Sequence, residues 1–149
     1  MDETPDNRLF FLINRSRHVL LKWADAILME KLSVTSAQLA ALFILEKEDG
    51  CLLKELSRGL GLNNSAITGL VSRMEKAGLI EKRSCLEDGR AFQVYITPKG
   101  ARTAALALPL VDQFNEFASE GFTPEEMETV CRFLSSVIHK ISCAQTRPA

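Results

Sequence analysis

The stretch Leu52 to Gly100, LLKELSRGLGLNNSAITGLVSRMEKAGLIEKRSCLEDGRAFQVYITPKG, constrains this chain most. It opens with two short helical patterns and continues with two alternating β patterns around a charged loop. It closes on a fresh helix start at Thr97-Pro98. Two short helices followed by a β-hairpin is the order of a winged helix-turn-helix, which lays its second helix in a DNA major groove.

Each boundary in that stretch has a local cause. Leu52 to Leu60 reads as a helix with Leu53, Leu56 and Leu60 inward, and Gly59 and Gly61 bracket its end, where glycine suits a left-handed cap. Asn63 is an N-cap for the next helix. There Ile67, Leu70, Val71 and Met74 fall at i, i+3, i+4 and i+7, the spacing of one buried stripe. The opposite face carries Asn64, Ser65, Thr68, Gly69, Ser72 and Lys76, small or polar and without acid until Glu75. Short polar side chains let a helix approach base edges and hydrogen-bond there. A merely solvated face would normally mix Glu with Lys.

Ala77-Gly78 ends that helix. Leu79 to Cys85 and Arg90 to Ile96 read as strands, with Phe92, Val94 and Ile96 alternating against Gln93 and Tyr95. Leu86-Glu87-Asp88-Gly89 is the connecting turn, with Arg90 just past its tip. An arginine there can enter a minor groove, where negative potential is high, and Asp88 can orient the guanidinium by a charge-assisted bond. The plain alternative is a solvated Asp-Gly turn.

The flanks read as long helix. From Asp6 to about Lys31, Leu9, Leu12, Ile13, Leu20, Trp23, Ala24, Ile27 and Leu28 recur at helical spacing, and Phe10, Phe11 and Val19 widen the apolar arc. So broad an arc needs a second surface, which either a subunit interface or burial within the chain's own domain would supply. Thr35-Ser36-Ala37-Gln38 is a capping box opening the second helix, with Leu39, Leu42, Phe43 and Leu45 on it, and Asp49-Gly50 breaks the chain after it. The fifth helix starts at Thr97-Pro98, contains Pro109, which should kink it, and stops at Gly121. Thr123-Pro124-Glu125-Glu126 starts the last, with Val130, Phe133, Leu134, Val137, Ile138 and Ile141 along it; the tail AQTRPA should fray.

Charge sharpens the reading. The net charge is −1, yet residues 51–100 hold eight Lys or Arg against five acids, while the rest hold ten against fourteen. A positive segment on an acidic body fits a local phosphate-binding face. No long uncharged apolar run implies a transmembrane helix, and MDETPDNR is not a secretory start, so a cytoplasmic location is expected. The four cysteines at 51, 85, 131 and 143 and the histidines at 18 and 139 show no metal spacing. Cys131 and Cys143 on one helix would lie about 18 Å apart, beyond the roughly 7 Å limit of a disulfide. With no phosphate loop, metal spacing or nucleophile-base pairing, neither an enzyme nor a cofactor is expected.

KEL-S--LGL at Lys54 to Leu62, S-IT-LV-R-E at Ser65 to Glu75, GLIEKR at Gly78 to Arg83 and D-R-F-V-ITPKG at Asp88 to Gly100, in this order, resemble the MarR family of bacterial transcriptional regulators. The resemblance implies a mostly α fold with a small β-hairpin wing. Residues 1–34 and 99–149 would form a dimerisation body, and residues 35–98 the winged helix-turn-helix. It further implies a homodimer on inverted-repeat double-stranded DNA, usually repressing, and released by a small anionic or aromatic effector. Carried over by position, Asn64, Ser65, Thr68 and Ser72 would face bases. Arg73 would meet phosphate and Arg90 the minor groove, with Lys76, Arg83 and Asp88 completing the DNA-contact set. Gly69 and Gly89 stand where many members have basic residues, and Leu52 where a capping Ser or Thr is common. Arg15, His18, Lys22 and Trp23 are candidate effector-cleft residues, Arg15 for a carboxylate and Trp23 for stacking on a ring. A winged-helix interaction module without DNA function and a thiol-based redox regulator stand as alternatives.

Overall fold

The computed structural model describes residues 8–145. Its elements run α1 (Leu9–Leu32), α2 (Ser36–Lys47), β1 (Cys51–Leu52), α3 (Leu53–Leu60), α4 (Asn64–Lys76), β2 (Ile80–Ser84), β3 (Phe92–Ile96), α5 (Pro98–Ser119) and α6 (Pro124–Gln145). The mostly helical winged helix-turn-helix expected from the sequence is the observed fold. The expected start of the first helix at Asp6 and the end of the AQTRPA tail lie outside the described residues.

The chain divides into two compact units, Met1–Leu110 and Val111–Ala149. In the first, β1, β3 and β2 form an antiparallel sheet in that order, with Cys51 opposite Val94 and Ile80 opposite Ile96. Strand β1 is missing from the sequence reading. It is two residues long, too short for any alternation, and is held by pairing to β3, with the Gly50 N–H donating to the Val94 carbonyl at 2.9 Å. The third helix accordingly begins one residue late, at Leu53. Leu52 offers no side-chain acceptor. Half of a capping box remains, in which the Leu52 N–H donates to Glu55 Oε2 at 2.8 Å.

The core sits where α2, α3 and α4 meet the sheet. Leu39, Leu42 and Leu45 of α2, Leu56 of α3, all four stripe residues of α4 and Val94 of β3 are buried. Each such side chain, taken fully out of water, is worth about 1.5–3 kcal/mol. Leu53 and Leu60, expected inward, are only half-buried, and Ser57 is buried in their stead, its hydroxyl donating to the Leu62 carbonyl at 2.6 Å. Gly61 takes φ +65, the left-handed cap that lets α3 turn into α4.

Two ties fix the neighbours of this core. Asp25 of α1 accepts from the Ser36 N–H at 2.6 Å and from its hydroxyl at 2.5 Å, placing a carboxylate at the N-terminus of α2. The capping box there forms as read, between Thr35 and Gln38. At the other end, the Thr97 hydroxyl donates to the Gly78 carbonyl at 2.6 Å and accepts from the Gly100 N–H at 3.1 Å. Gly100 is held so close that a Cβ would lie 2.2 Å from the Leu79 carbonyl oxygen, so α5 leaves the sheet only through a glycine.

On α1 only Ala24 and Leu28 are buried; Leu9, Phe10, Phe11, Leu12, Val19 and Leu20 are exposed. Helix α5 continues through Pro109. In the second unit Thr123 and Glu126 form the expected capping box, and Val130, Phe133, Leu134, Ile138 and Ile141 of α6 are exposed. No single helix among the described residues is long and apolar enough to cross a membrane.

Candidate nucleic-acid interface

Helix α4 presents its polar face because its apolar stripe is fully used. Ile67, Leu70, Val71 and Met74 are at most 3% exposed, which turns Asn64, Ser65, Thr68, Ser72, Arg73 and Lys76 outward. The start of the helix is fixed by Asn63, whose Oδ1 accepts from the Ala66 N–H at 2.9 Å and from the Ser65 hydroxyl at 3.1 Å. The Thr68 hydroxyl donates to the Asn64 carbonyl at 2.7 Å. The hydroxyl protons of Ser65 and Thr68 are thus spent within the helix. Their oxygens retain lone pairs, so both can act as acceptors for a base amine, and the Thr68 methyl can meet a thymine methyl.

The wing loop joins β2 to β3. The Cys85 N–H donates to the Ala91 carbonyl at 2.9 Å and the Ala91 N–H to the Asp88 carbonyl at 3.0 Å. The tight turn is therefore Asp88 to Ala91. Gly89 and Arg90 are its two central residues, so it lies two residues later than the turn expected at Leu86 to Gly89. Asp88 also departs from expectation. Its Oδ1 accepts from the Arg90 backbone N–H at 3.0 Å, an Asx turn, and so shapes the loop rather than holding the guanidinium.

These elements enclose one concavity of about 510 Å³ between α3, α4 and the wing. Asn64 and Thr68 line it from α4, Asp88 and Arg90 from the wing, and Lys54 and Ser57 from α3. Lys54 is a basic group beside the interface that the sequence reading did not single out. Its signal was present, since it is one of the eight basic residues of the positive segment. Cys85 and Phe92 line the floor.

Arg83 stands differently. Its guanidinium pairs with Glu81 at 2.8 Å and lies 4.3 Å from the centre of the Tyr95 ring. The hydrogen bond to Glu81 raises its already high pKa. Its neighbours along the sheet already engage it, and it lines no part of the concavity. Arg15, His18 and Lys22 are exposed on α1 and Trp23 is half-buried; none of them lines the concavity either. Among the described residues no three His, Cys, Asp or Glu gather into a metal site. Cys51 is buried and Cys85 half-buried, while Cys131 and Cys143 are exposed on α6.

The model of the MarR family matches residues 34–92. The organic hydroperoxide resistance transcriptional regulator of Bacillus subtilis (strain 168) is 31% identical over 64% of this chain; the match spans 65% of that relative's length. The S. aureus MepR–DNA complex superposes with a TM-score of 0.81 at 19% identity, over 91% of this chain and 99% of the other. Bordetella bronchiseptica BpsR, solved to explain regulation of its DNA binding by 6-hydroxynicotinic acid, superposes at 0.79 with 18% identity, over 88% and 93%. At those identities the two structures establish the likeness of fold.

Proposed function

The winged helix of this chain belongs to the MarR family, and from that premise we propose that the protein is a sequence-specific DNA-binding regulator of transcription. It acts as a homodimer on an inverted-repeat operator, and its action is repression. The observation that carries this reading is the shared concavity, lined by Asn64 and Thr68 from α4 and by Arg90 from the wing, an arrangement that would set base-contacting and phosphate-contacting groups side by side. Phosphate contacts from Lys54, Lys76 and the wing supply affinity, and Asn64, Ser65, Thr68 and Ser72 supply base contacts. Arg83, already engaged by Glu81 and Tyr95, contributes least of the set.

Control is assigned to a small aromatic acid that lowers DNA affinity, with Arg15, His18, Lys22 and Trp23 as its contacts. The support is chemical: a guanidinium and an ammonium for a carboxylate, and an indole for a ring. BpsR, of the same fold, is regulated by such an acid.

Titration of labelled duplexes across a salt series tests both parts. Wild type should bind an operator with a strong salt dependence. Arg90→Ala should weaken binding and flatten the salt slope by about one phosphate equivalent per subunit. An unchanged slope with unchanged affinity removes Arg90 from the interface. Repeating the titration with aromatic acids should weaken binding in wild type and less so in Arg15→Ala. No response to any such acid withdraws the effector assignment and leaves the DNA reading intact.

A further inference from the structure

Position 69 lies in the middle of the outward face of α4, one turn after Ser65 and one turn before Arg73. It is glycine, so that part of the face is an open recess. The Arg73 side chain fills it: Nη1 of Arg73 lies 3.3 Å from where a Cβ on residue 69 would stand. A long helical side chain leans toward the N-terminus over residue i−4, and here nothing at i−4 pushes it away. Among the described residues no carboxylate pairs with the guanidinium. The one ion pair between described residues is that of Arg83 with Glu81, and Glu75, the acid nearest in sequence to Arg73, accepts instead from the Lys82 N–H at 3.2 Å.

That placement separates two roles for an arginine on a groove-facing helix. One that meets phosphate must extend sideways from the helix toward the backbone at the groove edge. One laid back over the middle of the helix keeps its fork on the surface that faces the base edges. Gly69 also lowers that surface, because a helix without a side chain there can approach more closely. A planar fork with two fixed N–H donors matches the O6 and N7 acceptors of guanine, a match that a flexible ammonium makes with less geometric restraint.

Resting on the DNA-binding reading above, we propose that Arg73, seated in the recess left by Gly69, reads a guanine in the major groove and sets specificity at that base pair. The role assigned by family position, a phosphate contact, is replaced by a base contact. Gly69 then replaces nothing that is lost. Instead of presenting a basic side chain of its own, it makes room for the one a turn later.

The test uses the full chain and an operator that wild-type protein enriches from random duplexes. Binding is measured on every single-base-pair substitution of that operator and across a salt series. Arg73→Ala should lose about 5- to 150-fold on the operator by losing its preference for G·C at one symmetry-related pair of positions. Other positions and the salt slope should remain. Arg73→Lys keeps the charge and loses the rigid fork, so its guanine preference should fall below that of wild type. Arg73 is exposed, so both variants should fold, which circular dichroism with a urea melt checks. An even loss over all sequences with a slope reduced by about one per arginine, or an alanine variant that keeps the guanine preference, overturns the assignment while DNA binding stands. Wild type that enriches no sequence overturns the DNA-binding reading, and this assignment with it.

Discussion

Cys51 sits at the start of β1, and its environment argues against reactivity. Burial first, then the carboxylates of Glu55 and Glu48, raise its thiol above the ordinary value of 9.0. The thiolate is the nucleophile, so a thiol that holds its proton is inert near neutral pH. Iodoacetamide followed by mass spectrometry should therefore label Cys131 and Cys143 early and Cys51 only as the chain unfolds; early labelling of Cys51 contradicts this. The linkage has a definite sign. The folded thiol ionises at a higher pH than the unfolded one. Its contribution to stability is intact below the unfolded value and fades as pH climbs through the folded one. Urea midpoints should fall more steeply above pH 9.0 in wild type than in Cys51→Ala. At this scale the sequence made caps legible, since Asn63, Thr35 and Thr123 need only their local neighbours to act. It did not reveal that Asp88 closes on a backbone N–H, or that Arg73 lies over Gly69. Both depend on the space around a side chain, which spacing does not encode.

At the scale of elements, α4 was the most legible part of the chain. Four apolar residues at helical spacing became four buried residues, and the polar face followed from them. The wing was legible as two strands but not in its turn, because Asp88-Gly89 fits the start of a four-residue turn as well as its end. Strand β1 was invisible, since a two-residue strand exists only through its partner. Thr97 ties α4 to the wing: it caps α5 through Gly100 and reaches back to the Gly78 carbonyl beyond the end of α4. Lys99 adds a bond from Nζ to the Ala77 carbonyl at 2.7 Å. Thr97→Ala removes a cap and a cross-link together. Loss of the cap alone typically costs about 0.5–2 kcal/mol, so urea denaturation should show a loss near the upper end of that range. A loss below about 0.3 kcal/mol would mean that the wing is positioned by strand pairing alone.

At the scale of the whole molecule, the apolar faces of α1 and α6 demand an explanation. Phe10 is 77% exposed and Ile138 is 68% exposed, each among other exposed apolar residues of its own helix. Faces of this kind on a single chain mark a contact with something else. The breadth of the first helix's apolar arc already carried that message, though no sequence pattern names the occupant. In this account the occupant is a second copy, joined by a two-fold axis so that each face meets its equivalent. Two α4 faces and two Arg90 wings are then held in one fixed relation, and an inverted repeat is the DNA that matches such symmetry. The most direct test is selection by wild-type protein from a random duplex library, followed by sequencing. The account predicts an enriched inverted repeat whose half-site centres lie about 10–10.5 base pairs apart. Enrichment of a lone half-site, or of no sequence at all, would contradict it.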